Sequence, residues 1–197
     1  GEGTEDRFGT SVSLSSNGNI VAIGGDYNDG NGGTSGHVRI YQNNGSDWNQ
    51  LGNDIEGEYG VEGDSDYFGY SVSLSSDGNI VAIGGDSNNG NGGNSGHVRI
   101  YQFDKLTSDW NQMGNDIEGE DDRDYFGNSV SLSSNGTIVA IGGQYNQGNE
   151  FNSGHVRIYQ FNSGDSDWNQ LGNDIEGEDG GDYFGYSVSL SSNGTIV

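Results

Sequence analysis

Phe68-Gly69-Tyr70-Ser71-Val72-Ser73-Leu74-Ser75-Ser76-Asp77-Gly78-Asn79-Ile80-Val81-Ala82-Ile83-Gly84-Gly85 is the stretch whose reading decides the fold. Ser71 to Ser75 alternates polar and apolar side chains, the period of a strand with one buried face. Asp77-Gly78 follows. Asn-Gly or Asp-Gly between two such runs is a strong hairpin signal, read here as a type I′ turn with φ > 0 at both central residues. Ile80 to Ile83 is apolar at every position, so the second strand is expected to be covered on both faces.

The phrase recurs. It opens at Phe8, Phe68, Phe126 and Phe184, at intervals of 60, 58 and 58 residues, with hairpin tips at Asn17-Gly18, Asn135-Gly136 and Asn193-Gly194. Self-similarity at a fixed period marks a repeat architecture. Beyond the hairpin, a Gly/Asn-rich loop (Asp86 to Gly96) leads to His97-Val98-Arg99-Ile100-Tyr101-Gln102. There Val98 and Ile100 face one side while His97, Arg99 and Tyr101 face the other. Trp110 to Glu120 supplies a fourth strand and the exit. Four short antiparallel strands in about 58–60 residues describe one blade of a β-propeller, rather than the shorter coil of a β-solenoid. The chain is therefore read as all-β: the end of a preceding blade at 1–7, blades at 8–67, 68–125 and 126–183, and the start of a fourth at 184–197. Three blades and part of another read as a segment of a larger propeller, completed by further blades of the same chain or by other protein chains.

Composition narrows the partners. The 197 residues include 38 Gly, no Pro and no Cys, and carry a formal charge of −24. Six Lys and Arg residues neutralise few phosphates, which excludes a nucleic-acid backbone as the main partner. The same charge disfavours anionic membranes, and no apolar run approaches the ~20 residues of a spanning helix, so no membrane insertion is expected. Without cysteine there is no disulfide framework.

Phe-Gly, then Ser-Val, then Ile-Val-Ala-Ile-Gly-Gly, then Gly-His-Val-Arg-Ile-Tyr resembles the FG-GAP repeat of integrin-α-type β-propellers, over essentially the whole chain. The resemblance implies closure with seven blades. It also implies an Asp-rich calcium loop between the first two strands, and here the sequence departs. Ser15-Ser16-Asn17-Gly18-Asn19 and its counterparts hold at most one carboxylate, Asp77, whereas calcium takes six to eight oxygens. No cofactor is required on this reading, and the usual metal loop is missing.

Four constellations remain as sites. Alternating oxygen-bearing side chains in Asp26-Tyr27-Asn28-Asp29-Gly30-Asn31-Gly32, and in Asp86-Ser87-Asn88-Asn89-Gly90-Asn91-Gly92, offer calcium the ligands Asp26, Asn28, Asp86 and Asn88. The competing account is that Asn and Gly serve tight exposed turns, and Gln144 replaces the aspartate in the third copy. Acidic residues after each fourth strand (Asp54, Glu56, Glu58 and their counterparts, with Asp64 and Asp66) form either a cationic-partner surface or a solvated rim. His97, Arg99 and Tyr101, with Trp110 as a stacking plane, are candidate carbohydrate-binding residues between blades. Because they recur in every copy, they equally suit fixed packing. Asn44, Asn135 and Asn193 begin N-x-Ser/Thr tripeptides, the acceptor for N-glycosylation.

Nothing marks a catalytic residue: there is no Cys nucleophile, no nucleophile elbow and no phosphate-cradling loop before a helix. The sequence expectation is thus a non-enzymatic, extracellular or cell-surface structural or adhesive propeller module. A lectin-like propeller and a propeller appended to a secreted hydrolase are the alternatives.

Overall fold

A computed structural model describes residues 3, 5–30, 32–58 and 65–197. Asn31 of the first loop, Asp64 of the acidic exit, and Gly1, Glu2 and Thr4 of the segment before the first blade lie outside the described residues. The chain is all-β and forms three antiparallel sheets. The first contains β1 (Ser11–Leu14), β2 (Ile20–Gly25), β3 (His37–Asn43), β4 (Trp48–Gln50) and β5 (Ile55–Glu56). The second contains β6 (Phe68–Leu74), β7 (Ile80–Gly85), β8 (His97–Asp104), β9 (Asp109–Gln112) and β10 (Ile117–Glu118). The third contains β11 (Phe126–Leu132), β12 (Ile138–Gly143), β13 (His155–Asn162), β14 (Asp167–Gln170) and β15 (Ile175–Glu176).

Within each sheet the first four strands meander, and the two-residue fifth pairs with the near end of the third. The run read as one fourth strand is therefore two. Gly114, at φ 76°, bends the chain after β9 so that β9 and β10 take opposite ends of β8.

The hairpin tips correct the turn assignment. Gly18, Gly78 and Gly136 have φ of 71°, 73° and 71°, but Asn17, Asp77 and Asn135 are not left-handed. Gly18 N donates to Ser15 O at 2.9 Å, and Ser15 N donates to Ile20 O. This is a four-residue loop, Ser16 to Asn19, built on a turn whose last residue is a left-handed glycine, and not type I′. The cause is local. Asn17 Oδ1 accepts from Ser15 Oγ and from Asn19 N, both at 2.9 Å, and that bracing holds residue 17 out of the left-handed region.

The core lies between the sheets. Ile20, Ala22, Val38, Ile40 and Ile55 of the first sheet pack against Phe68, Leu74, Val81, Ile83 and Trp110 of the second. Ile80, Ala82, Val98, Ile100 and Ile117 do the same with Phe126, Leu132, Val139, Ile141 and Trp168. Alternation along each strand thus serves two different interfaces, and all of Ile80–Ile83 is buried because β7 sits between two neighbours. At the first sheet's outward face the equivalent residues are uncovered: Val12 and Leu14 are exposed, and so is Trp48.

Serines stitch the first strands of adjacent sheets together. Ser16 N donates to Ser76 O, Ser76 N to Ser134 O and Ser134 N to Ser192 O, at 2.8–2.9 Å. Ser13, Ser73 and Ser131 hydroxyls accept from Leu74, Leu132 and Leu190 N. The Ser-Val-Ser-Leu-Ser motif therefore supplies sheet-to-sheet hydrogen bonds from its polar positions and core from its apolar ones. No helix of the described residues is long and apolar enough to cross a membrane.

Candidate functional site

At the loop end of each sheet junction, the His-Arg-Tyr face meets the preceding copy. His97 and His155 are fully buried. Arg99 Nε donates to Asp116 Oδ2 at 2.8 Å and also pairs with Glu58 of the preceding copy. Arg157 repeats this with Asp174 and Glu120. The guanidinium carbons lie 5.7 and 5.8 Å from the ring centroids of Phe68 and Phe126, close enough for cation–π attraction. Burial opposes ionisation of Asp116, but His97, whose Nδ1 lies 3.6 Å away, and the hydrogen bond from Arg99 win and hold its carboxyl below the usual range.

Glu58, His97 and Asp116 bring three potential metal-ligand atoms within 4.8 Å of one another, as do Glu120, His155 and Asp174. The donor set does not suit a metal. In each copy an arginine already lies between the two carboxylates as their counter-ion, and seating a cation would bury that guanidinium against like charge. These clusters are ion networks joining adjacent sheets.

A different region offers an open cavity. Tyr70, Asp86, Asn94, Arg123, Tyr125, Gln144, Tyr145, Gln147, Phe151 and Asn152 line a pocket of about 680 Å³ on the loop end of the second and third sheets. Tyr125 and Tyr145 have ring centroids 5.1 Å apart, so the pocket has a fixed aromatic wall. Asp86 is 6% exposed. Burial, with the negative charges of Asp26 and Asp66 adding to it, pushes its carboxyl up to about 7. Ser87 Oγ donates to Asp86 Oδ1 at 3.2 Å. The first copy differs: there Thr10 Oγ1 donates to Asp26 Oδ1 at 2.8 Å, while Tyr70 stands at the threonine's position in the second.

Asp26, Asn28, Asp86 and Asn88 are all buried. Asn28 and Asn88 Oδ1 accept from Gly30 and Gly90 N at 2.8 Å, which commits them to their own turns. Among the described residues, the clusters of His and carboxylate groups that could hold a metal include neither Asp26 nor Asp86. His97, Arg99 and Trp110 are buried between sheets and Tyr101 is half-buried; Trp110 Nε1 donates to Leu51 O at 2.8 Å. Asn44, Asn135 and Asn193 are exposed on turns, each with Oδ1 bonded to its own loop. The pocket residues Tyr70, Arg123, Tyr125, Tyr145 and Phe151 were not singled out by motif. The available signal was variation: Thr10/Tyr70/Asn128 and Asp26/Asp86/Gln144 are positions where the copies disagree.

No family model matches this chain, and no curated protein matches it. Solved structures do. A candidate 6-phosphogluconolactonase from Bacteroides fragilis superposes with a TM-score of 0.55 at 11% identity, covering 84% of this chain and 38% of that one. Sqt1 of Saccharomyces cerevisiae gives 0.53 at 15% identity over 89% and 38%. Hydrazine synthase of Kuenenia stuttgartiensis gives 0.54 at 10% over 98% and 42%. The chain thus spans about two fifths of these structures' length. At such identities the likeness shows the fold, which is propeller-like. It also corrects the functional expectation. The architecture from which a non-enzymatic adhesive module was read belongs equally to proteins named as lactone-hydrolysing enzymes. The adhesive reading, with its lectin-like and hydrolase-appended alternatives, is withdrawn.

Proposed function

We propose that this chain is part of a propeller of the FG-GAP type, larger than the three sheets described, whose loop end carries a hydrolytic pocket for a small polyhydroxylated cyclic ester. The observation that carries the reading is Asp86, a buried carboxyl poised near neutrality on the wall of an open pocket. Catalytic acids and bases work best when their pKa lies near the working pH. The lactone class comes from the names of the B. fragilis and B. uniformis neighbours.

The pocket's chemistry fits such a substrate. Tyr125 and Tyr145 offer ring faces to the C–H side of a saturated ring, and Asn94, Gln144 and Asn152 offer amides to its hydroxyls. Asp86 as carboxylate takes a proton from water as the water oxygen attacks the ester carbonyl carbon. The ring C–O bond then breaks, and the same proton passes to the departing alkoxide, leaving a hydroxy acid. Arg123 supplies positive charge for the oxyanion. With a net charge of −24, a neutral ester reaches the pocket more readily than a phosphorylated one.

The test is hydrolysis of glucono-lactone and its phosphorylated form by the whole protein, against the spontaneous rate. Acceleration that disappears in Asp86→Asn supports the reading. Acceleration that survives Asp86→Asn, or no acceleration with either ester, overturns it.

A further inference from the structure

Two successive copies hold the same three residues in different hydrogen-bond arrangements. In the second, Asp66 Oδ1 lies 3.0 Å from His97 Nε2, near enough to pair as ions though not aligned as a hydrogen bond. Asn88 Nδ2 there reaches away to Glu58 Oε2 at 3.5 Å. In the third, Asp124 Oδ1 accepts from Asn146 Nδ2 at 3.0 Å, and His155 Nε2 is buried without a hydrogen-bond partner. The other aspartate oxygen does the same thing in both copies: Asp66 Oδ2 accepts from Glu58 N at 2.7 Å, and Asp124 Oδ2 from Glu120 N at 2.8 Å. The asparagines also share one local turn, with Oδ1 of each accepting from Gly90 or Gly148 N at 2.8 Å. Asp124 Oδ2 also accepts from Asp121 N at 3.1 Å, but it is the partner of Oδ1 that is exchanged between the copies.

We propose that these are the two positions of one proton-driven switch: the aspartate grips the histidine when the imidazole is protonated, and the loop asparagine when it is not. The chemistry favours the exchange. An imidazolium fully buried beside a carboxylate is an ion pair, whereas a neutral imidazole offers that carboxylate at most one uncharged N–H, and the amide can take its place.

The charged surroundings match in kind. His97 is faced by Asp66 before β6, Arg99 on its own strand, Asp116 and Glu118 at β10, and Glu58 of the preceding copy across Arg99. His155 is faced by Arg157 on its own strand, Asp174 and Glu176 at β15, and Glu120, while Asp124 holds before β11 the sequence position that Asp66 holds before β6. The two histidines titrate oppositely all the same. Burial opposes charge on His97, but Asp116 and Asp66 lift it to about 9. Burial and Arg157 push His155 down to about 4. If one site exchanges between both arrangements, its observed midpoint lies between those limits, across neutrality.

The lever is attached to the pocket. Asn146 belongs to the loop that supplies Gln144, Tyr145, Gln147, Phe151 and Asn152, so protonating His155 detaches that loop from Asp124. This regulatory consequence rests on the ligand reading given above. The switch itself does not.

The test is a ligand-free NMR titration of the histidine rings in the whole protein, alongside hydrogen exchange of residues 144–154. The switch requires His97 and His155 to share one midpoint between about pH 5 and 8, with faster exchange of the loop on the acid side. It also requires Asn146→Ala to raise the His155 midpoint by at least about one unit, because Asp124 is then free to pair with it. Separate midpoints, with His97 charged to about pH 8 and His155 neutral to about pH 5, overturn the proposal without any variant. An unmoved His155 midpoint in folded Asn146→Ala overturns it as well. Absence of lactone hydrolysis alongside a shared midpoint removes the pocket reading and leaves the switch standing.

Discussion

The carbonyl oxygen of Gly127 occupies the place where a Cβ on Gly84 would stand. The same relation holds between Gly24 and Gly69 and between Gly142 and Gly185. The Phe-Gly of one copy and the Gly-Gly of the copy before it are therefore two halves of a single contact. Ser71 completes it by donating from Oγ to Gly127 O at 2.7 Å. Both sides of the contact are backbone, so neither can yield by changing rotamer. Gly84→Ala is expected to cost about 3 kcal/mol or more. Gly93→Ala, where an added Cβ meets nothing within 4 Å, is expected to change stability by under about 0.5 kcal/mol. Denaturant unfolding of the two variants side by side decides this; equal midpoints would refute the packing account.

The three tryptophans occupy one position in the repeat and two different environments. Trp110 and Trp168 are each 8% exposed, while Trp48 is 46% exposed. Trp110 Nε1 donates to Leu51 O at 2.8 Å and Trp168 Nε1 to Met113 O at 2.7 Å. Trp110→Ala and Trp168→Ala are expected to cost about 3–5 kcal/mol each, since truncation opens a cavity and strands a carbonyl. Trp48→Ala is expected to cost under about 1 kcal/mol. A comparable loss from Trp48→Ala, measured by thermal unfolding, would mean that another surface covers the first sheet's outward face.

Much of this was legible in the sequence because it repeats. Four recurrences of Phe-Gly and the two-residue alternation of Ser-Val-Ser-Leu-Ser define strands, sheets and the all-β class. The Val98/Ile100 against His97/Arg99/Tyr101 split correctly separates two faces, which prove to be two inter-sheet interfaces. The turn type was misread because the Asn17 side chain competes with its own backbone dihedral, a local bond that a dipeptide rule does not include. The pocket was not legible because its residues come from three loops and from β6, and what builds it is departure from the repeat. Tyr70 replaces the threonine that satisfies Asp26, and a buried carboxyl is left near neutrality.

That carboxyl makes stability depend on pH in a defined direction. Asp86 has a folded pKa raised from 3.8 to about 7, so the folded state holds its proton more tightly than the unfolded state. Stability from this group is therefore present below pH 4 and lost as pH rises through about 7. Asp86→Asn removes the ionisation. Its advantage over the parent protein is expected to grow between about pH 4 and 8 and to reach up to about 4 kcal/mol. Denaturant midpoints of both proteins across that range provide the check, and a constant difference would sink the assignment.

Calcium is expected to do little. The hairpin turn that the FG-GAP resemblance would fill with aspartates carries instead Ser15, Asn17 and Asn19, and Asn17 Oδ1 is already occupied by two donors. The second loop has also spent its oxygens: Asn88 Oδ1 accepts from Gly90 N, and Asp86 takes a hydroxyl from Ser87. A cation would have to break these bonds and then still lack most of the six to eight oxygens it needs. With no site tighter than millimolar, mass action adds well under 1 kcal/mol at millimolar calcium, which corresponds to a shift in Tm of roughly 2 °C or less. A rise of about ten degrees or more would show that oxygens from outside these loops complete a site, and the contrast between the vacant hairpin and the committed asparagines would lose its force.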